Sequence, residues 1–178
     1  MHIRTHSPQH PPTVLVVDDD EDVQHITRIA LRTLSHEGRP VELLSARSAT
    51  EALQLMREHP DIGVVLLDVV MESDHAGLDT CRAIRDQLGN TFVRILLRTG
   101  QPGRAPEETV VEAYGVDGYL PKAELTSTRL ITVVRTALKA YDELVRLEAR
   151  RRGLETAHES VREMDSDSTW AEFRVESP

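Results

Sequence analysis

Short, wholly apolar runs alternate along this chain with longer stretches of helical periodicity, about five times over. The runs predict strands near residues 13–17, 41–46, 62–67, 93–97 and 117–120. An uninterrupted apolar run marks a strand buried on both faces, so the pattern implies an α/β fold: a doubly wound parallel sheet with helices above and below. The helices between the runs have recognisable beginnings and faces. Ser48 with Glu51 three residues on forms a capping box, and Ile26, Ile29, Ala30 and Thr33 fall on one face of the first helix.

The strands end in chemistry. Asp18-Asp19-Asp20 follows Val14-Leu15-Val16-Val17, Asp68 ends Val64-Val65-Leu66-Leu67, Thr99 follows Ile95-Leu96-Leu97, and Lys122 follows Tyr119-Leu120. In a doubly wound sheet the carboxyl ends of the strands border one crevice, so these groups are expected to converge. A carboxylate at the end of a buried strand is costly to keep charged without a cation or a chemical task. Several carboxylates together repel unless a divalent cation neutralises them, and Mg²⁺, hard and oxygen-seeking, is the natural candidate. A phosphoryl group entering such a site needs an in-line nucleophile, charge neutralisation and a hydrogen-bond donor. Asp68 can supply the first, the metal and Lys122 the second, and the Thr99 hydroxyl the third, giving an acyl phosphate.

Those four stretches, over about residues 13–141, resemble the receiver domain of response regulators in two-component signalling. The resemblance implies a flavodoxin-like five-stranded sheet of order 2-1-3-4-5. It also implies that Asp68 takes phosphate from a phosphohistidine of a sensor histidine kinase or phosphotransfer protein. Asp19, Asp68 and the Val70 carbonyl would bind Mg²⁺, with Asp18 reaching it directly or through water. Thr99 and Tyr119 would form the switch pair. A narrower similarity, through Met71-Glu72-Ser73-Asp74-His75-Ala76-Gly77-Leu78, Arg98-Thr99-Gly100-Gln101-Pro102-Gly103-Arg104-Ala105-Pro106-Glu107 and Lys122-Ala123-Glu124-Leu125-Thr126, and extended by Arg151-Arg152-Gly153-Leu154-Glu155, is to receivers that precede HD-type cyclic-dinucleotide phosphodiesterase modules. Two positions depart from the usual pattern: Glu72 stands where most receivers have proline, and Pro121 precedes rather than follows Lys122. Val70, apolar where a polar side chain could position hydrolytic water, implies slow self-dephosphorylation.

The remainder of the chain limits the possibilities. Its 178 residues suit one domain with an appendage, and the 39% apolar content supports a folded chain. A formal net charge of −9 argues against nucleic-acid binding. No run is long enough to cross a bilayer and Cys81 is the single cysteine, so a cytoplasmic protein is expected, without a membrane partner. Residues 1–12, with His2, His6 and His10, read as a flexible arm. From Leu130 an apolar stripe runs through Val133, Val134, Ala137, Leu138, Tyr141, Leu144 and Val145. Leu147, Leu154 and Val161 continue it at heptad spacing across Gly153. The extension 142–164 is therefore expected to pair two copies of the chain or bind another partner. Residues 165–178, with Trp170 and Phe173, read as a disordered tail, and nothing after Leu154 offers an HD-type metal site, so a stand-alone regulator without an enzymatic output is expected.

Two other chemistries compete. Asp18-Asp19-Asp20 offers the Asp-x-Asp start of a haloacid-dehalogenase-like phosphatase, but Asp22 stands where Thr or Val is expected and no strand-terminal acidic pair follows Lys122. His158-Glu159 permits a phosphotransfer histidine by residue type alone, but its surroundings are not diagnostic and a solvated helix explains it better.

Overall fold

The structure, a computed structural model, describes residues 11–100 and 114–167. The chain divides into two compact units, Met1–Val145 and Arg146–Pro178. The first contains strands β1 (Thr13–Val17), β2 (Ser35–His36), β3 (Arg39–Pro40), β4 (Glu42–Ala46), β5 (Ile62–Asp68), β6 (Arg94–Thr99) and β7 (Gly118–Pro121). Helices α1 (Glu21–Leu31), α2 (Ala49–Glu58) and α3 (Ala76–Arg82) lie between them, and helix α4 (Ser127–Asp167) follows.

Five strands form one sheet in the order β4-β1-β5-β6-β7, with every pairing parallel. Counting only these strands along the chain gives 2-1-3-4-5, as expected. Every residue of β1 and β5 is buried, which is why their sequences are continuously apolar rather than alternating. Alternation instead sorts them between two cores. Leu15, Val17, Val65 and Leu67 meet Ala52, Met56, Cys81 and Ile84 on the α2–α3 face. Val14, Val16, Val64 and Leu66 meet Leu31, Leu130, Val134 and Leu138 on the face covered by α1 and α4. Burial pushes the Cys81 thiol up to about 12, so it packs as a small apolar group.

The first helix turns a different face inward from the one expected. Ile26 and Ile29 are 64% and 53% exposed, whereas Thr27 and Leu31 are buried. Thr27 can face the core because its hydroxyl accepts there from the Arg98 guanidinium. Half of the capping box forms, the Ser48 hydroxyl accepting from the Glu51 amide, while the Glu51 carboxylate accepts from the Arg47 amide, one residue before the cap.

A small hairpin, β2–β3, was not evident from the apolar pattern. Glu37 and Gly38, at φ 50° and 76°, make its two-residue turn. His36 Nε2 and Asp142 Oδ2 lie 2.8 Å apart and buried, tying this hairpin to α4. The N-terminal arm is anchored earlier than expected: Pro12 is buried and its carbonyl accepts from the Glu42 amide.

In α4 the apolar stripe buries Leu130, Val134, Ala137, Leu138, Tyr141 and Val145. The helix continues through Gly153 and past Met164 to Asp167, beyond the expected end of the extension. Within the second unit, Glu148 accepts from Arg151 and Arg152, and Arg151 also pairs with Glu155, supplying one-turn contacts that support the helix. Leu147 and Leu154 are 64% and 73% exposed there. His2, His6, His10, residues 101–107, Trp170 and Phe173 lie outside the described residues, as does most of the expected tail.

Candidate functional site

The carboxyl ends of β1, β5, β6 and β7 bring the predicted groups together. Asp18 follows β1 with no exposed surface, Asp68 is the last residue of β5 at 4% exposure, and Thr99 is the last of β6 at 3%. Lys122 follows β7 and crosses to both acids, its Nζ 2.8 Å from Asp68 Oδ2 and 3.1 Å from Asp18 Oδ2. Asp19 is exposed, and one carboxylate oxygen from each of Asp18, Asp19 and Asp68 lies within 4.8 Å of the others. A set of converging carboxylate oxygens with one member open to solvent suits a hard divalent cation. The third acid of the cluster does a different job: Asp20 caps α1, accepting from the amides of Asp22 and Val23.

Backbone contacts fix this arrangement. The Asp20 amide donates to Asp18 Oδ1 at 3.1 Å, and Gln24 Nε2 donates to the carbonyls of Asp18 and Ala46 at 2.7 and 2.8 Å. Beyond Asp68, the Val69 amide donates to the Arg98 carbonyl and the Gly77 amide to the Val69 carbonyl. Gly77 has no alternative there, because a Cβ would lie 2.0 Å from the Asp68 carbonyl oxygen. Val70, the expected carbonyl ligand, is 40% exposed on the same loop. Tyr119 is half-buried opposite Leu97, one step back from Thr99 on the same face of the sheet.

Burial and the neighbouring Asp18 push the Asp68 carboxyl above its ordinary range, against the opposing pull of Lys122. Lys122 is pushed up as well: its own desolvation favours the neutral amine, but Asp68 and Asp18 together outweigh it and the lysine holds its proton more tightly. The pair is therefore asymmetric: the lysine has two carboxylates and the aspartate has one lysine. An acid held in this state is poised for a reaction or a cation rather than for stability.

A sequence model of the response regulator receiver domain matches residues 14–135. The chain belongs to that family. The chain is also 48% identical, over 146 residues, to a 3'3'-cGAMP-specific phosphodiesterase 2 of Vibrio cholerae serotype O1. That match covers 82% of this chain and only 28% of the relative. The fold matches the receiver domain of an HD domain-containing protein from Pseudomonas fluorescens Pf-5, at TM-score 0.64 and 24% identity, covering 75% of this chain and 99% of that one. The Vibrio cholerae chemotaxis protein CheY4 is similar at TM-score 0.61 and 23% identity, covering 72% and 99%. The sheet is thus the flavodoxin-like receiver fold, and the chain is the receiver of a two-component system. Among the described residues, no helix is long and apolar enough to cross a membrane.

Three residues with defined roles escaped the sequence reading. Gln24 had no signal. Glu72, noted only as a missing proline, accepts from the Ala49 amide at 3.0 Å and so caps α2 from the loop after β5. Arg98 had a signal that went unused: a charged residue continuing the apolar run Ile95-Leu96-Leu97.

Proposed function

We propose that this receiver is a phosphorylation-dependent switch whose phosphoacceptor is Asp68. The observation that carries the reading is Lys122 Nζ bridging Asp68 and Asp18 at 2.8 and 3.1 Å, at a site where Asp19 completes a triad of carboxylates. Receivers generally bind Mg²⁺ at such an acidic pocket. Here Asp18, Asp19, Asp68 and the Val70 carbonyl would hold the ion, which when bound supplies positive charge to the phosphoryl oxygens. Asp68 Oδ attacks the phosphorus of a phosphohistidine, the P–N bond breaks, and the histidine of the donor protein leaves with the bonding electrons. Lys122 then pairs with a phosphoryl oxygen in place of Asp68 Oδ2, while the Thr99 hydroxyl donates to another. Thr99 and Tyr119 share one face of β6–β7, a placement that lets the ring follow the hydroxyl as a switch pair.

In this reading the receiver promotes only its own phosphorylation and dephosphorylation, and the apolar Val70 makes the second slow. A small phosphodonor such as acetyl phosphate with Mg²⁺ is expected to add one phosphoryl mass to the wild type and none to Asp68→Asn. Absence of an adduct on the wild type overturns the proposal. A Val70→Asn variant whose phosphoryl lifetime equals that of the wild type would remove Val70 from it. Steady turnover of a generic phosphatase substrate would favour the dehalogenase-like alternative.

The 48% identical relative favours one class of output. The chain spans 28% of that phosphodiesterase, so the same kind of receiver serves as part of a cyclic-dinucleotide phosphodiesterase there. We propose that the controlled partner here is an enzyme of that class, addressed through the segment after Tyr141. Phosphodiesterase activity that is unchanged when phosphorylated receiver is added to such an enzyme would count against it.

A further inference from the structure

Arg98 is the least expected group in the core. It shares a sheet face with Leu96, pointing towards α1, whereas Thr99 beside it shares the opposite face with Leu97. Only 2% exposed, its guanidinium donates to Asp18 Oδ2 at 2.9 Å and to the Thr27 hydroxyl of α1 at 2.7 Å. Its Nε has no acceptor among the described residues. A buried cation so incompletely satisfied is expensive, and an apolar residue would complete the core at lower cost. Its position is therefore better explained by Asp18 than by packing.

Charge at the site supports this. Asp18, Asp19 and Asp68 contribute three negative charges, and Arg98 and Lys122 return two. Without Arg98, Asp18 would keep only Lys122, which is shared with Asp68 at a shorter distance. Asp18 Oδ2 is thus already bonded on two sides, by Arg98 and Lys122, before any divalent ion arrives.

We propose that Arg98 is a built-in counter-ion of Asp18, which holds the acidic pocket together without a divalent cation and weakens that cation's binding. The inference rests on the reading of the carboxylate triad as a Mg²⁺ site. Arg98 is a positioning residue: it touches neither the phosphoryl group nor Asp68, and acts through Asp18. Because the same guanidinium holds Thr27, the arrangement also joins the state of the pocket to α1. A cation that draws Asp18 away from Arg98 leaves Thr27 as the guanidinium's remaining partner.

The test is calorimetric titration of the unphosphorylated full chain with Mg²⁺, for wild type, Arg98→Met and Arg98→Lys. Removing a unit charge a few ångströms from the site, at an effective dielectric of about 20, is expected to tighten Mg²⁺ binding by Arg98→Met by at least about tenfold. Arg98→Lys keeps the charge and is expected to stay within about threefold of wild type. Unchanged or weaker binding by Arg98→Met, or equal shifts in the two variants, overturns the proposal. If Arg98→Met is unfolded without Mg²⁺, refolding on Mg²⁺ addition followed by circular dichroism replaces calorimetry: a midpoint below the wild-type dissociation constant supports the proposal, and a midpoint at or above it, or no refolding, overturns it. Phosphorylation of wild type by acetyl phosphate is measured in parallel. An adduct with no effect of Arg98 sinks only this inference, whereas neither adduct nor Mg²⁺ binding by wild type sinks the receiver-site reading beneath it.

Discussion

Lys122 Nζ stands 2.8 Å from Asp68 Oδ2, yet the ion pair does not repay the burial of the carboxylate. Asp68 remains above its ordinary value of 3.8 because desolvation and Asp18 outweigh its single lysine. Its proton affinity is higher in the folded than in the unfolded chain. Its contribution to stability is therefore fully present below pH 3.8 and lost as pH rises through the raised value. Where the pH exceeds that raised value, the charged group is a liability. Asp68→Asn, in the absence of divalent cations, is expected to be more stable than wild type by roughly 0.5–2 kcal/mol. Thermal melts at pH 7 and pH 3 check this: the advantage should shrink at the lower pH, and a destabilised variant at pH 7 would refute the asymmetry.

Gly77 is held against the backbone of Asp68, the proposed phosphoacceptor. A Cβ would meet Asp68 O at 2.0 Å and Val69 Cα at 2.8 Å, both main-chain atoms that cannot rotate away. Gly77→Ala is expected to cost roughly 2–3 kcal/mol, the upper range for overpacking, and to reduce phosphorylation by displacing Asp68. Chemical denaturation gives the first quantity and acetyl phosphate labelling the second. A variant normal in both would show that the loop after β5 yields freely.

Ile26 is 64% exposed and lines a groove with Val23, Ala30, Leu125 and Leu130 that reaches Lys122. A protein phosphodonor must cover the opening at Lys122, so its surface meets this groove, whereas a small donor need not. Ile26→Asp is expected to slow transfer from a histidine phosphodonor at least about tenfold, the loss typical of one apolar anchor. Labelling by acetyl phosphate should be unaffected. Equal slowing of both would place the effect in the site rather than in docking.

Leu147 and Leu154, at 64% and 73% exposure, are one heptad apart in the second unit. Replacing both with Lys is expected to abolish any self-association of the phosphorylated chain while leaving phosphorylation at the wild-type level. Sedimentation or light scattering with and without phosphodonor measures it. Phosphorylation-dependent dimerisation that survives the double substitution would move the contact elsewhere.

The sequence by itself determined the sheet and the list of candidate reacting groups. Strands buried on both faces leave continuous apolar runs, and a polar residue ending such a run is visible as an interruption, so Asp18, Asp68, Thr99 and Lys122 were legible with their order. Helix faces were less so. Ile26 and Ile29 are more apolar than Thr27, and hydropathy chose them for the interior, but a buried guanidinium gave Thr27 a partner there. The tertiary structure alone decided such pairings across long stretches of sequence: Arg98 with Asp18, Glu72 with the start of α2, and His36 with Asp142. Periodicity records whether a residue prefers water, while a hydrogen bond between distant segments depends on where the fold places its other half. For that reason the sequence showed which groups could act at Asp68, and only the folded chain showed how Asp18 is already neutralised beside it.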